Sequence, residues 1–125
     1  MSEISVAAQA LRVLVIEDET LVLMNLEDML AELGHSVAAA MMRLDQALGA
    51  EDAALSADVA ILDVNLGGLP VFPLAERLAG LGIPLVFATG YGPDGLPDAW
   101  RDRPVLRKPY SLDEVERALA VAVAG

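Results

Sequence analysis

The chain has 125 residues, the size of one ordinary domain, and 55% of them are hydrophobic, enough for a substantial core. A formal net charge of −11, with eight basic residues against nineteen acidic ones, disfavours direct nucleic-acid binding, which needs clustered lysine and arginine to neutralise phosphates. Cysteine is absent and His35 is the one histidine, which excludes disulfides and thiolate chemistry and disfavours metal sites rich in cysteine or histidine.

Residues 1–10 read as a tail, and the domain proper is expected over 11–125. Leu11 to Ile16, apolar but for Arg12, is short and rich in β-branched residues and reads as a buried strand. Val22, Leu26, Met29, Leu30 and Leu33 share one helical face, and Gly34 stops that helix. Ser36 to Met41 reads as a second strand, although alanine is a poor strand former. Leu44 to Leu55 is expected as a weak helix and Asp58 to Leu62 as a third strand. Gly67, Gly68 and Pro70 mark a loop. Leu74, Leu78 and Leu81 predict a helix ending near Gly82, and Pro84 to Ala88 a fourth strand. Gly90 to Pro104 is too rich in glycine and proline for a long helix, and at most a helical turn is expected around Asp98 to Asp102. Pro104 to Leu106 is a short fifth strand. Ser111, with Glu114 three residues on, opens a last helix through a capping box, and Leu112, Val115, Leu119 and Ala122 form its apolar stripe.

Strand–helix alternation of this kind predicts an α/β fold with a parallel sheet covered on both faces. The last helix is expected to run almost to Gly125, so no appended output domain is expected. No apolar run approaches the ~18 residues of a membrane helix. The N-terminus also lacks the basic-plus-apolar pattern of a signal peptide. A cytoplasmic location with no membrane partner is therefore expected.

Four of the apolar runs end in polar groups suited to one chemistry. Glu17, Asp18 and Glu19 follow the first, Asp63 the third, Thr89 the fourth, and Lys108, the only lysine, the fifth. In doubly wound sheets ligands bind at the carboxyl ends of the strands. Glu17, Asp18 and Asp63 together would repel one another and raise at least one pKa, which a hard divalent cation relieves. A few carboxylates with a carbonyl and a phosphoryl oxygen form a Mg²⁺ pattern. Lys108 adds a second positive charge and Thr89 a hydroxyl, a set that suits the positioning and charge neutralisation of phosphoryl transfer. Asp63, with a flexible loop behind it, is the natural nucleophile.

Glu17-Asp18, Asp63, Thr89 and Lys108-Pro109, in that order on successive elements, resemble the receiver domain of two-component response regulators over residues 11 to 124. The resemblance implies a flavodoxin-like (βα)₅ doubly wound sheet of strand order 2-1-3-4-5. It implies that Asp63 accepts a phosphoryl group from a sensor histidine kinase, or exchanges it with a phosphotransfer protein. Asp18 would ligate Mg²⁺ directly, Glu17 mainly through water, and Asn65 through its backbone carbonyl. Lys108 would pair with a phosphoryl oxygen, Thr89 would move to another, and the Lys108–Pro109 bond would be cis. The stretch Pro84-Leu85-Val86-Phe87-Ala88-Thr89-Gly90-Tyr91-Gly92 is similar to the "FAT GUY" subgroup of receivers, often single-domain proteins of alphaproteobacteria that work with HWE-type kinases. Two departures from ordinary receivers fit that subgroup: Val105 stands where a switching aromatic is usual, and a Gly/Pro-rich stretch replaces the fourth helix. Tyr91 and the Gly90 to Pro104 loop are then expected to carry the switch.

Other residues have plainer readings. His35 follows a helix-terminating glycine and reads as structural, Trp100 as packing its loop onto the domain, and Arg107 as solvated or touching a partner. Two alternative functions remain. One is a Mg²⁺-dependent phosphohydrolase, although Asp63-Val64-Asn65 lacks the second acidic residue such enzymes use and the chain lacks a cap domain. The other is a phosphorylation-silent interaction domain, against which the intact set of acids, Thr89 and Lys108 argues. The leading expectation is a signalling domain that is not an enzyme beyond its own phosphorylation and dephosphorylation.

Overall fold

A computed structural model of the chain describes residues 9–91 and 95–125. The expected tail over 1–10 therefore lies outside the described residues except at its last two positions, as do residues 92–94 of the expected switch loop. Seven strands are described: β1 (Arg12–Ile16), β2 (Ser36–Met41), β3 (Val59–Asp63), β4 (Asn65–Leu66), β5 (Leu69–Pro70), β6 (Leu85–Thr89) and β7 (Val105–Arg107). The α-helices are α1 (Thr20–Glu32), α2 (Leu44–Leu48), α3 (Phe72–Gly80) and α4 (Leu112–Ala124), and 3₁₀ turns cover Asp52–Leu55 and Asp98–Trp100.

Five strands pair in parallel in the order β2-β1-β3-β6-β7, the expected 2-1-3-4-5 succession of a flavodoxin-like sheet. The central strands β3 and β6 are buried along their whole length, as continuous apolar runs require when both faces of a sheet are covered. Alternation along β1 divides the interior. Leu14 and Ile16 join Leu62 and Phe87 beneath α2 and α3, while Val13 and Val15 join Ile61 and Val86 beneath α1 and α4. The capping box on α4 is formed, with the Glu114 N–H donating to Ser111 Oγ and the Ser111 N–H to Glu114 Oε1.

Where a fourth helix would cover β6, Leu96 and Trp100 fill the space. Trp100 packs edge-on to Phe87 with ring centroids 5.7 Å apart, and the Arg103 guanidinium lies over the Trp100 ring at 5.3 Å. The tryptophan thus does structural work, and the turn at Asp98–Trp100 matches the expected helical turn.

The expected helix over Leu44 to Leu55 is not continuous. It stops at Leu48, Gly49 follows, and a 3₁₀ turn resumes at Asp52. The break falls at a glycine, and Arg77 of α3, a residue with no role in the sequence reading, holds it in place. Its guanidinium donates to the carbonyls of Ala47 (3.4 Å), Leu48 (3.0 Å) and Ala50 (2.6 Å) and pairs with Asp52 at 2.7 Å. It satisfies the carbonyls that a helix end leaves free. Arg77→Ala is expected to cost about 2 kcal/mol in denaturant unfolding, and Arg77→Lys to recover less than half, because an ammonium cannot reproduce the fork.

The stretch behind Asp63 also differs from expectation. It is not a flexible loop but a tight hairpin, with Asn65 opposite Pro70 and Leu66 opposite Leu69. Gly67 and Gly68, expected to mark a loop, occupy its tip with φ of +60° and +89°. Two successive positive φ values are what a type I′ hairpin turn requires.

Candidate functional site

Parallel pairing brings the carboxyl ends of β1, β3, β6 and β7 to one edge of the sheet. Backbone bonds to the adjacent strand hold three of these strand ends in place. The Glu17 N–H donates to the Met41 carbonyl at 3.0 Å, the N–H following Asp63, that of Val64, to Ala88 at 3.0 Å, and the Lys108 N–H to Thr89 at 2.9 Å. The Lys108–Pro109 peptide is cis.

The Lys108 ammonium sits between carboxylates. Its Nζ lies 2.9 Å from Glu17 Oε1, 2.9 Å from Asp63 Oδ2 and 3.7 Å from Glu19 Oε1. Glu17, Asp63 and Thr89 are buried, whereas Asp18 is half-buried and Glu19 exposed. Asp63 Oδ1 accepts from the Asn65 N–H at 3.1 Å, Glu17 Oε2 from the Glu19 N–H at 3.1 Å, and Asp18 Oδ2 from the Gly67 N–H at 2.9 Å. The Asn65 side chain accepts from the Gly68 N–H at 2.7 Å, and Thr89 Oγ1 from the Tyr91 N–H at 3.1 Å.

Burial dominates the electrostatics. It pushes the Glu17 carboxyl up to about 7; Lys108 opposes that rise, and Asp63 adds to it. Burial also works against the Lys108 charge, but Asp63 and Glu17 outweigh it and hold the ammonium above the ordinary lysine range. The Tyr110 phenol is pushed up to about 12 by burial and by the neighbouring Glu17 charge, and its hydroxyl has no hydrogen-bond partner among the described residues. His35 stands apart from the site. Its Nδ1 accepts from the Leu11 N–H at 3.1 Å, and burial lowers its pKa, in keeping with a structural residue.

Each of Glu17, Asp18, Glu19 and Asp63 offers a carboxylate oxygen within 4.8 Å of the others. Such an all-oxygen donor set, only partly neutralised by one ammonium, fits a hard divalent cation. Sequence reading gave Glu19 no role of its own. It follows Glu17 and Asp18 directly at the end of β1, and its carboxylate also lies 3.7 Å from the Lys108 ammonium.

No protein-family model and no curated protein sequence matches the chain. Solved structures do. The chain is 42% identical to SdrG from Sphingomonas melonis Fr1, with 94% of this chain and 98% of that one covered at a TM-score of 0.78. This chain belongs to the receiver domains of response regulators. The BeF₃-activated conformation of SdrG, from Pseudomonas melonis Fr1, matches at 42% identity over 90% of this chain and 95% of that one, with a TM-score of 0.73. The receiver domain of the response regulator PhyR from Erythrobacter litoralis is 28% identical, with 94% of this chain and 93% of that one covered and a TM-score of 0.78. In this receiver domain, Glu17, Asp18, Asp63 and Lys108 meet at one point, with Thr89 at the end of the neighbouring strand and Asn65 on the hairpin. Val105 is a half-buried residue of β7.

Proposed function

We propose that the domain accepts a phosphoryl group on Asp63 from a phosphohistidine of a sensor kinase or phosphotransfer protein, with Mg²⁺ bound by the acidic cluster, and signals or relays it. The observation that carries this reading is the Asp63 carboxylate at the end of a central strand, 2.9 Å from the only lysine and within a cluster of three further carboxylates. An Asp63 oxygen attacks phosphorus, the P–N bond to the donor imidazole breaks, and the imidazole keeps the bonding pair. Asn65 N–H and Lys108 hold the two carboxylate oxygens, so the nucleophile is oriented before the donor arrives. Mg²⁺, when bound, supplies positive charge to the carboxylates and the phosphoryl oxygens. Asp18 would hold it directly, Glu17 mainly through water, and Asn65 by its carbonyl. Lys108 then turns from Glu17 and Asp63 to a phosphoryl oxygen.

A groove of about 550 Å³ beside Lys108, lined by Leu21, Val22, Asn25, Pro109 and Tyr110 among others, is suited to a protein phosphodonor, and Leu21 on its wall is 81% exposed. The reading places the domain in the FAT GUY subgroup, with an HWE-type kinase as donor and a cytoplasmic setting. Readout runs through Tyr91. Thr89 Oγ1 is tied to the Tyr91 N–H, so a move of Thr89 toward the phosphoryl group releases that amide, and Tyr91 is already 83% exposed.

The test is incubation with Mg²⁺ and a small acyl phosphate. An acid-stable, base-labile adduct that maps to Asp63 and decays slowly is expected, and Asp63→Asn should abolish it while the protein stays folded. Fast multiple turnover of other phosphomonoesters would instead mark a phosphohydrolase, and no adduct at all a silent interaction domain. An unmoved Tyr91 amide resonance on binding a phosphoryl mimic would sink the proposed readout.

A further inference from the structure

The hairpin behind Asp63 joins two carboxylates of the site that belong to different strands. From Asp63 Oδ1 the path runs to the Asn65 N–H, from Asn65 Oδ1 to the Gly68 N–H, and from the adjoining Gly67 N–H to Asp18 Oδ2, on a residue 49 positions away. A Cβ at Gly67 or Gly68 would meet nothing within 4 Å, so glycine is needed there for backbone conformation and not for space. Leu66, which is buried, anchors one arm of the hairpin in the core.

We propose that the Asn65–Pro70 hairpin is a positioning element of the cation site. Its Gly67 N–H orients Asp18, and the Asn65 side chain, by closing the turn at Gly68, keeps that N–H in place. A half-buried carboxylate just past a strand end has rotamer freedom, which is lost when a cation binds. An N–H that already holds one oxygen removes that cost and leaves the remaining lone pairs for the cation. Asn65 thereby acts through its side chain as well as through its carbonyl. The inference rests on the functional reading above.

Mg²⁺ alone, titrated into the unphosphorylated protein and followed by calorimetry or amide shifts, tests it. Asn65→Ala keeps the carbonyl and removes the turn-closing oxygen, and Gly68→Ala strains the turn. Gly82 is the control: it also has positive φ (+79°) and nothing within 4 Å of a Cβ, but it lies at the opposite edge of the sheet, after α3. Asn65→Ala and Gly68→Ala are each expected to weaken Mg²⁺ binding about tenfold, and Gly82→Ala to change it less than about twofold despite a similar loss of thermal stability. Wild-type affinity in both hairpin variants, or an equal loss in Gly82→Ala, overturns the inference alone. A wild-type protein that takes up no Mg²⁺ overturns the functional reading and this inference with it.

Discussion

Replacing Lys108 with methionine is expected to destabilise the metal-free protein by about 3 kcal/mol at pH 8 and by clearly less at pH 5. The ammonium is 2.9 Å from both Glu17 and Asp63, and its side chain is only 19% exposed. Removing one partner of a buried ion pair leaves the other charge uncompensated, at about 3–5 kcal/mol, and the partial exposure of Lys108 places it at the low end. At pH 5 the Glu17 carboxyl carries a proton, so less negative charge is left unpaired. Mg²⁺ should restore much of the loss at pH 8, because it neutralises the same carboxylates. The phosphoaspartyl adduct should fall at least about tenfold, since one positive charge facing the phosphoryl group is gone. Thermal and denaturant unfolding at the two pH values, with and without Mg²⁺, check the stability effects. Equal destabilisation at pH 5 and pH 8 would contradict the electrostatic account and point to lost packing instead.

The second large effect is on the pH dependence of folding. The Glu17 carboxyl titrates near 4.5 in the unfolded chain and near 7 in the folded one. Between those values the folded protein holds a proton that the unfolded chain has released, so the stability from this group is complete below pH 4.5 and is lost as pH rises to about 7. The interval corresponds to about 3 kcal/mol, after which the contribution is flat. Glu17→Gln, which keeps the shape and removes the titration, should abolish this slope and make the metal-free protein more stable than wild type at pH 8. Saturating Mg²⁺ should flatten the slope in the wild type by favouring the ionised carboxylate. Denaturant midpoints at half-unit pH steps decide the matter, and a stability that rises from pH 5 to pH 7 would rule out a raised Glu17.

The two variants share one contact and should not be additive. With Glu17 neutral, Lys108 has one buried carboxylate fewer to offset, so the Lys108→Met loss at pH 8 should shrink in the Glu17→Gln background.

Several parts of the fold were legible in the sequence for local reasons. Val13 to Ile16 and Leu85 to Ala88 are apolar without interruption because these parts of β1 and β6 are covered on both faces. Ser111 and Glu114 announced their helix because a capping box is a contact three residues apart. Other parts were not legible, because what holds them lies elsewhere in the chain. The break after Leu48 is capped by Arg77, which takes carbonyls 27 to 30 positions away. The hairpin behind Asp63 had a signal in the adjacent glycines Gly67 and Gly68, but the flanking strands have only two residues each, too few to show a period.

The sequence by itself determined the alternation of strand and helix, the order of acids, threonine and lysine at successive strand ends, and hence the receiver fold. Those features depend on side-chain periodicity and on which residue ends each apolar run. Only the tertiary structure decided that Lys108 bridges Glu17 and Asp63 and lies near Glu19, that Glu17 holds its proton to near neutral pH, and that a glycine turn ties Asp18 to Asp63. These depend on burial and on ångström-scale separations between strands distant in sequence, where both the Coulomb attraction and the desolvation cost vary too steeply for residue order alone to set them.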